Sequence, residues 1–180
     1  MEKKDNLKIW VIVLALFLVV TIGYSILSTT LKIKGTTTIK SAKWDIHFEK
    51  VTISPNSVTA SVPPANPSNS VTSMNYTVDL TQPGDFYEFT VVVKNSGTLD
   101  AKIGDTAPAI TGVSTEQDVY VNYKVTYEDD TVIKSGDALN AGDSKTIKVR
   151  VEYDPNVTTA QMPLDEQTLT LNFSMDYVQA

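Results

Sequence analysis

The chain has 180 residues, of which 42% are hydrophobic and 20% are charged, and its formal net charge is -6. The hydrophobic fraction is too high for a disordered chain, and the acidic balance argues against nucleic acid as a partner. The absence of cysteine excludes disulfides and thiolate metal sites, and a single histidine, His47, leaves little acid–base chemistry. One soluble domain is therefore the starting expectation.

The amino-terminal residues form a segment of different character. Residues 1–8 contain three lysines and are predicted to be a cytoplasmic basic region, and Ile9–Leu31 contains no charged residue. As a helix, this apolar run is about 35 Å long, which suffices for a hydrocarbon core of about 30 Å. Lysines on the amino side favour an external location for the rest of the chain. The sequence therefore predicts a transmembrane or signal helix over residues 9–28 and an extracellular domain over residues 29–180.

The same segment also has features of a cleaved signal peptide. Its strongly apolar part, Ile9–Ile22, has the length of a signal-peptide core, and small residues follow it. Cleavage after Ser25 places Gly23 two positions before the cleaved residue, whereas cleavage after Ser28 places the bulky Ile26 there. Two locations stay open: a cell-membrane protein with an extracellular carboxy-terminal domain, and a protein secreted into the extracellular matrix after cleavage.

Beyond this segment, apolar and polar residues alternate with the period of β-strands. One apolar and one polar face per strand is typical of antiparallel sheets that are buried on one side. Seven such runs, with no helical period among them, predict an all-β fold, an antiparallel β-sandwich of jelly-roll or Ig-like type. The apolar members of the runs are Leu31, Ile33 and Ile39; Trp44, Ile46 and Phe48; Met74, Tyr76, Val78 and Leu80; Tyr87, Phe89, Val91 and Val93; Val119, Val121, Tyr123, Val125 and Tyr127; Ile147, Val149, Val151 and Tyr153; and Leu169, Leu171, Phe173, Met175 and Tyr177.

Turn signals separate the predicted strands. Pro83-Gly84-Asp85 and Ala141-Gly142-Asp143 each precede a strand, where glycine permits positive φ and aspartate can accept a bond from its own main chain. Ser61–Ser70 is rich in Pro, Ser and Asn, and its three prolines remove ladder donors. We therefore predict a long surface connection over this stretch.

No residue cluster of the sequence predicts an active site. His47 shares a predicted strand face with Asp45 and Glu49, a set that could ligate a metal, but a solvated outer face is the favoured interpretation. Residues 128–130 are acidic but lack the spacing of a calcium loop, so we interpret them as a charged turn. The zincin, nucleophile-elbow and Walker motifs do not occur. The sequence predicts a protein that is not an enzyme and has no cofactor, metal or small-molecule substrate.

Two stretches resemble TasA-like and camelysin-like exported proteins of Gram-positive bacteria. In Leu80–Ile103, the Pro83-Gly84-Asp85 turn leads into an alternating strand and then an N-x-G loop, as in those proteins. Leu31–Lys40, followed by Trp44-Asp45-Ile46, is similar to the start of their mature chains. The resemblance implies a jelly-roll or related sandwich, processing by a SipW-type signal peptidase, and a role as a fibre or accessory subunit of an extracellular matrix.

The first functional hypothesis is a structural protein of the cell surface or the extracellular matrix. An exposed strand edge presents unpaired N–H and C=O groups, so one segment could add as a strand to a neighbouring subunit. Alternatively, the same strand completes its own sandwich, and Lys32, Lys34 and Lys40 keep other chains off its edge. Self-association or contact with other surface proteins is then the expected partnership. The residues of the predicted strand-addition segment are Leu31, Ile33, Gly35 and Ile39.

The second hypothesis is a membrane-anchored adhesive or binding module that recognises a protein or a glycan through loops at one end of the sandwich. Glycan recognition often uses exposed aromatic residues. Because the alternation predicts that Trp44 is buried, the sequence shows no such platform.

Overall fold

The computed structural model describes residues 2–26, 31–67, 71–106 and 108–180. The chain divides into two compact units, Met1–Lys40 and Ser41–Ala180. We call the second one the sheet unit.

The first unit contains helix α1, Glu2–Ile26. Its Glu, Lys, Leu and Ala residues have high helix propensity, so the helix begins before the apolar run. The predicted amino-terminal helix is thus confirmed. Across the described ranges, no helix combines the length and apolar character that a membrane crossing requires. The predicted membrane span over residues 9–28 is corrected accordingly, since its strongly apolar part, Ile9–Ile22, is shorter than the about 20 residues that a span needs.

The sheet unit is built from strands that pair only in antiparallel fashion within the described residues. This confirms the predicted all-β, antiparallel class. A short 3-10 helix, Gln117–Val119, precedes the seventh strand. The strands are β1 Ile46–Ile53, β2 Ala60–Val62, β3 Thr77–Val78, β4 Phe86–Asn95, β5 Ala101–Ile103, β6 Ala109–Thr111, β7 Val121–Tyr127, β8 Ala138–Leu139, β9 Ser144–Tyr153, β10 Asn172–Ser174 and β11 Tyr177–Gln179.

The largest sheet has four strands in the order β1-β4-β9-β7. A three-stranded sheet has the order β11-β5-β8, and β10 pairs with β6 and β2 with β3 in two-stranded sheets. Strands β4 and β9 lie at the centre of the largest sheet, which leaves β1 and β7 as its edges.

The core lies on one face of this largest sheet. Every second residue of β4 is buried, from Tyr87 to Asn95, and β9 contributes Ile147, Val149 and Val151. These residues pack against Ile103 and Leu139 of the three-stranded sheet in one cluster. The apolar faces predicted for β4 and β9 are therefore confirmed.

Both predicted glycine turns are also confirmed. Gly84 and Gly142 have φ angles of 95° and 84°. The carboxylate of Asp85 accepts hydrogen bonds from the main-chain N–H groups of Thr81 and Gln82, at 2.8 and 3.0 Å. The aspartate thereby closes the turn that leads into β4.

Elsewhere the alternating runs and the strands differ. The run from Leu169 to Tyr177 is divided between two sheets, because β10 pairs with β6 whereas β11 pairs with β5. The run from Met74 to Leu80 forms only the two-residue strand β3. The predicted strand over 31–39 has no regular secondary structure. Trp44 was predicted to be buried, but 46% of its surface is exposed because β1 begins only at Ile46.

Candidate functional site

The residues directly before the sheet unit form an exposed segment. We call Leu31–Lys40 the linker segment. Leu31, Ile33 and Ile39 are 90%, 99% and 90% exposed, and nothing lies within 4 Å of where a Cβ on Gly35 would be. The linker segment has no regular secondary structure. The predicted strand-addition residues therefore lie in a segment without regular secondary structure and belong to none of the described strands.

The predicted cleavage residues are Ser25 and Ser28. Ser25 belongs to α1, whose range ends at Ile26. Ser28 lies outside the described residues.

Main-chain hydrogen bonds hold the start of the sheet unit to the turn after β4. We call these contacts the junction. The Lys43 N–H donates to Thr98 Oγ1 at 2.9 Å, and the Thr98 N–H donates to the Lys43 carbonyl at 2.9 Å. The Ser96 N–H donates to the Asp45 carbonyl at 2.8 Å. A Cβ on Gly97 would lie 2.5 Å from the Lys43 carbonyl oxygen, so the junction requires glycine there.

Next to the junction lies the single histidine. His47 Nδ1 is 2.7 Å from Asp45 Oδ1, and the Lys43 ammonium pairs with the same carboxylate. The Lys43 ammonium and then His47 hold the pKa of Asp45 below its usual value. His47 is buried, which corrects the predicted solvated face, whereas Glu49 is exposed. Among the residues that the structure describes, no group of histidines and carboxylates could hold a metal ion.

The Pro-rich connection and the residue directly after it occupy two donors on the outer edge of β1. The Phe48 N–H donates to the Val71 carbonyl at 2.8 Å, and the Val51 N–H donates to the Asn66 side-chain oxygen at 2.9 Å. Prolines remove main-chain N–H donors from this connection. Its main-chain carbonyl oxygens and side-chain amide oxygens can still accept hydrogen bonds. A second chain therefore meets an occupied edge at β1.

The outer edge of β7 is open. The Glu128 N–H donates to Thr146 and the Asp154 N–H to Tyr120, so the even-numbered residues of β7 bond to β9. The main-chain groups of Val121, Tyr123 and Val125 consequently point away from β9. They have no hydrogen-bond partner in the described ranges. These three residues define the free edge of the largest sheet.

A cleft of about 280 Å³ lies beside this free edge. Its lining includes Tyr123 of β7, the carboxylate residue Asp118, and Ile110 of β6, which is 46% exposed.

A second cleft, of about 740 Å³, lies at the end of β7. The Tyr127 hydroxyl donates to the Asp137 carboxylate at 2.9 Å, and the Lys145 ammonium lies 4.6 Å from the centre of the Tyr127 ring. Because the protein's own cation covers that ring, Tyr127 does not offer a free aromatic surface. The acidic residues 128–130 lie here at a turn, as predicted, and Asp130 pairs with Lys148.

Three buried tyrosine hydroxyls, those of Tyr76, Tyr87 and Tyr177, have no hydrogen-bond partner among the described residues. The rings of Tyr76 and Tyr87 are stacked at 5.8 Å between centroids. Alternation places all three on apolar faces, but it does not reveal that their hydroxyls lack partners. Burial raises the pKa of Tyr87 and raises that of Tyr177 to about 12.

Because these tyrosines are buried, we expect the folded protein to lose stability at alkaline pH. A raised pKa in the folded state means that the contribution of Tyr177 is complete below pH 10, and that it is lost as the pH rises from 10 through about 12. We expect the free energy of unfolding, measured with urea, to fall over this range while tyrosinate absorbance rises. Tyr177→Phe should flatten the pH dependence, whereas Gln179→Ala, which changes an exposed residue of the same strand and removes no tyrosine hydroxyl, should leave it unchanged. An unaltered slope in Tyr177→Phe would contradict the assignment.

Comparison of the chain with protein-family models, curated proteins and solved structures finds no match. The resemblance to TasA-like and camelysin-like proteins stays a prediction from the sequence.

Proposed function

We propose that the protein is an exported structural protein of the cell surface or the extracellular matrix. Its sheet unit is a β-sandwich of jelly-roll or Ig-like type, and its subunits assemble when the linker segment of one copy adds as a strand to another. The observation that carries this proposal is the exposure of Leu31, Ile33 and Ile39, which alternate as in a strand but remain unpaired in their own chain.

Exposure of this apolar face is unfavourable in an isolated subunit. Burying a Leu or Ile side chain contributes about 1.5–3 kcal/mol, so three such residues provide a large driving force for covering the linker segment. Strand addition also pairs its main-chain N–H and C=O groups. A partner with an open strand edge satisfies both requirements.

The sheet unit offers such an edge at β7 and not at β1. Charge favours the same pairing between copies. The linker segment carries Lys32, Lys34 and Lys40 with no acidic residue, whereas the sheet unit has 9 Lys and Arg residues against 19 Asp and Glu residues. A basic strand is therefore attracted to an acidic body, and the attraction weakens as salt is added.

Export is supported by the amino-terminal pattern of lysines, the apolar run Ile9–Ile22 and the small residues after it. We expect a protein recovered from cells to begin at Ile26 or Thr29, which amino-terminal sequencing can measure. A mature chain that begins at Met1 would contradict processing and would leave the linker segment joined to α1.

Assembly is tested with two matched carboxylate substitutions in residues 29–180. Ile33→Asp places a charge on the apolar face of the linker segment, and Thr36→Asp places the same charge on the polar face. We expect light scattering to show oligomers of the parent and of Thr36→Asp at concentrations where Ile33→Asp is monomeric. If the parent stays monomeric at every concentration and pH tried, strand addition is wrong.

The alternative function is an adhesive or binding module that recognises a protein or a glycan. Trp44, which is 46% exposed beside the junction, favours it because an exposed indole can contact a sugar face. The light-scattering experiment separates the two functions, since a binding module has no need to self-associate.

A further inference from the structure

The linker segment combines exposure with a concentration of lysines. Lys32, Lys34 and Lys40 are all exposed, and the segment has no regular secondary structure. We propose that it is a processing site for a serine protease that prefers lysine before the cleaved bond, and that cleavage after Lys40 separates the sheet unit from the residues before it.

A protease binds its substrate as an unpaired, extended stretch of several residues. The linker segment supplies this stretch directly, since it is exposed and has no regular secondary structure that must open first. Lysines inside the sheets are different. Lys102 lies in β5 between two paired strands, and Lys148 lies in β9 between β4 and β7. Cleavage there requires local opening of the sheet, which lowers its rate.

The junction makes Lys40 the last lysine before the hydrogen-bonded start of the sheet unit. Lys43 is the next one, and both its main-chain N–H and its carbonyl are bonded to Thr98. The strands and the buried core begin after this point, so cleavage after Lys40 removes no residue that packs in the sheet unit. The product that starts at Ser41 therefore keeps every contact of the core.

The reaction is hydrolysis of one peptide bond. The C–N bond between Lys40 and Ser41 breaks and one water molecule is consumed. Lys40 gains a carboxylate and Ser41 gains a free amino group. The three lysines supply the cationic side chain that an acidic specificity pocket recognises.

Processing and assembly then compete for the same residues, a consequence that rests on the proposed function. In a strand ladder, the scissile bonds of the linker segment would be paired and covered. Assembled copies would resist the protease, and a cleaved copy could no longer donate its strand. Cleavage would thereby end growth at that subunit.

The test is limited digestion of the full chain with trypsin, followed by mass spectrometry over time. We expect a fragment 41–180 to accumulate and persist, with cleavage after Lys40 about 100-fold faster than after Lys102, as a local opening of about 3 kcal/mol would give. The variant Lys32→Gln/Lys34→Gln/Lys40→Gln should lose cleavage in the linker segment and unfold at the same urea concentration as the parent. Cuts that occur first within 41–180 would overturn the proposal.

Digestion at two protein concentrations separates this proposal from strand addition. Rapid cleavage of monomers with protection of oligomers supports both. Equal cleavage in monomers and oligomers supports the processing site and contradicts strand addition. If the linker segment of monomers is not cleaved, the processing-site proposal is wrong, regardless of the result for oligomers.

Discussion

Replacing Phe89 with alanine is expected to lower the free energy of unfolding by about 3–5 kcal/mol. Phe89 is 3% exposed and lies in β4, at the centre of the largest sheet. Its ring centroid is 5.2 Å from that of Tyr76 and 6.0 Å from that of Tyr87. The substitution removes the ring from this cluster and leaves a cavity that the paired strands β1 and β9 cannot close.

Urea unfolding followed by tyrosine and tryptophan fluorescence measures this loss. Val132→Ala is the control, since Val132 is 73% exposed and its truncation should change stability by less than about 0.5 kcal/mol. A loss below about 1 kcal/mol for Phe89→Ala would mean that the ring is not enclosed by the core.

The second large effect is expected for Asn95→Ala, which should lower the free energy of unfolding by about 3 kcal/mol. Asn95 is 1% exposed, and its amide donates to the carbonyls of Leu99 and Leu139 at 2.9 and 3.0 Å. Its side-chain oxygen accepts from the Gly97 N–H at 3.0 Å. Each buried main-chain group left without a partner costs about 1–3 kcal/mol. Alanine removes all three bonds at once.

Two further substitutions test the origin of this effect. Asn140→Ala removes one exposed hydrogen bond, to Asp143, and should be nearly neutral. Asn95→Asp keeps the oxygen that Gly97 needs but removes both donors and buries a charge, so it should destabilise at least as much as alanine. Amide exchange of Gly97 should accelerate in Asn95→Ala. If stability and exchange both stay within error of the parent, the network does not hold the loop.

The long central strands could be predicted because their sequence pattern and their surroundings agree. Strand β4 is buried on one side by the core and paired on both edges, so Tyr87, Phe89, Val91 and Val93 alternate without interruption. Asn95 continues the same side of the strand. A polar residue in phase with an apolar run is the signal that would have identified it as a buried hydrogen-bonding residue.

The linker segment has the same alternation but a different outcome. Alternation reports which face of a strand is apolar, whereas pairing depends on a neighbouring edge with free N–H and C=O groups. Where β1 could have accepted a strand, the Asn66 side chain and the Val71 carbonyl occupy its donors. Such contacts join residues that are distant in sequence, and no local sequence pattern predicts them.

His47 shows a further limit of the alternation. The predicted face is solvated because its neighbours Asp45 and Glu49 are charged. In the structure, His47 pairs with Lys94 of β4, whereas Glu49 lies within the register shift between Phe48 and Val51 and has no partner in β4. The sequence predicts that Asp45 and His47 are neighbours. It does not reveal that both are less exposed than Glu49.

The pairing of β4 with β9 determines the order in which this protein can fold. Val91 pairs with Ile147, more than fifty residues later in the chain. Contacts between such distant residues make folding slow, because the loop must close before the strands gain any hydrogen bond. A newly made chain therefore presents the apolar face of β4 with the edge that pairs with β9 open until β9 arrives. During that interval β4 can pair with other unfolded copies, so synthesis rate and chaperone supply govern the yield of native protein.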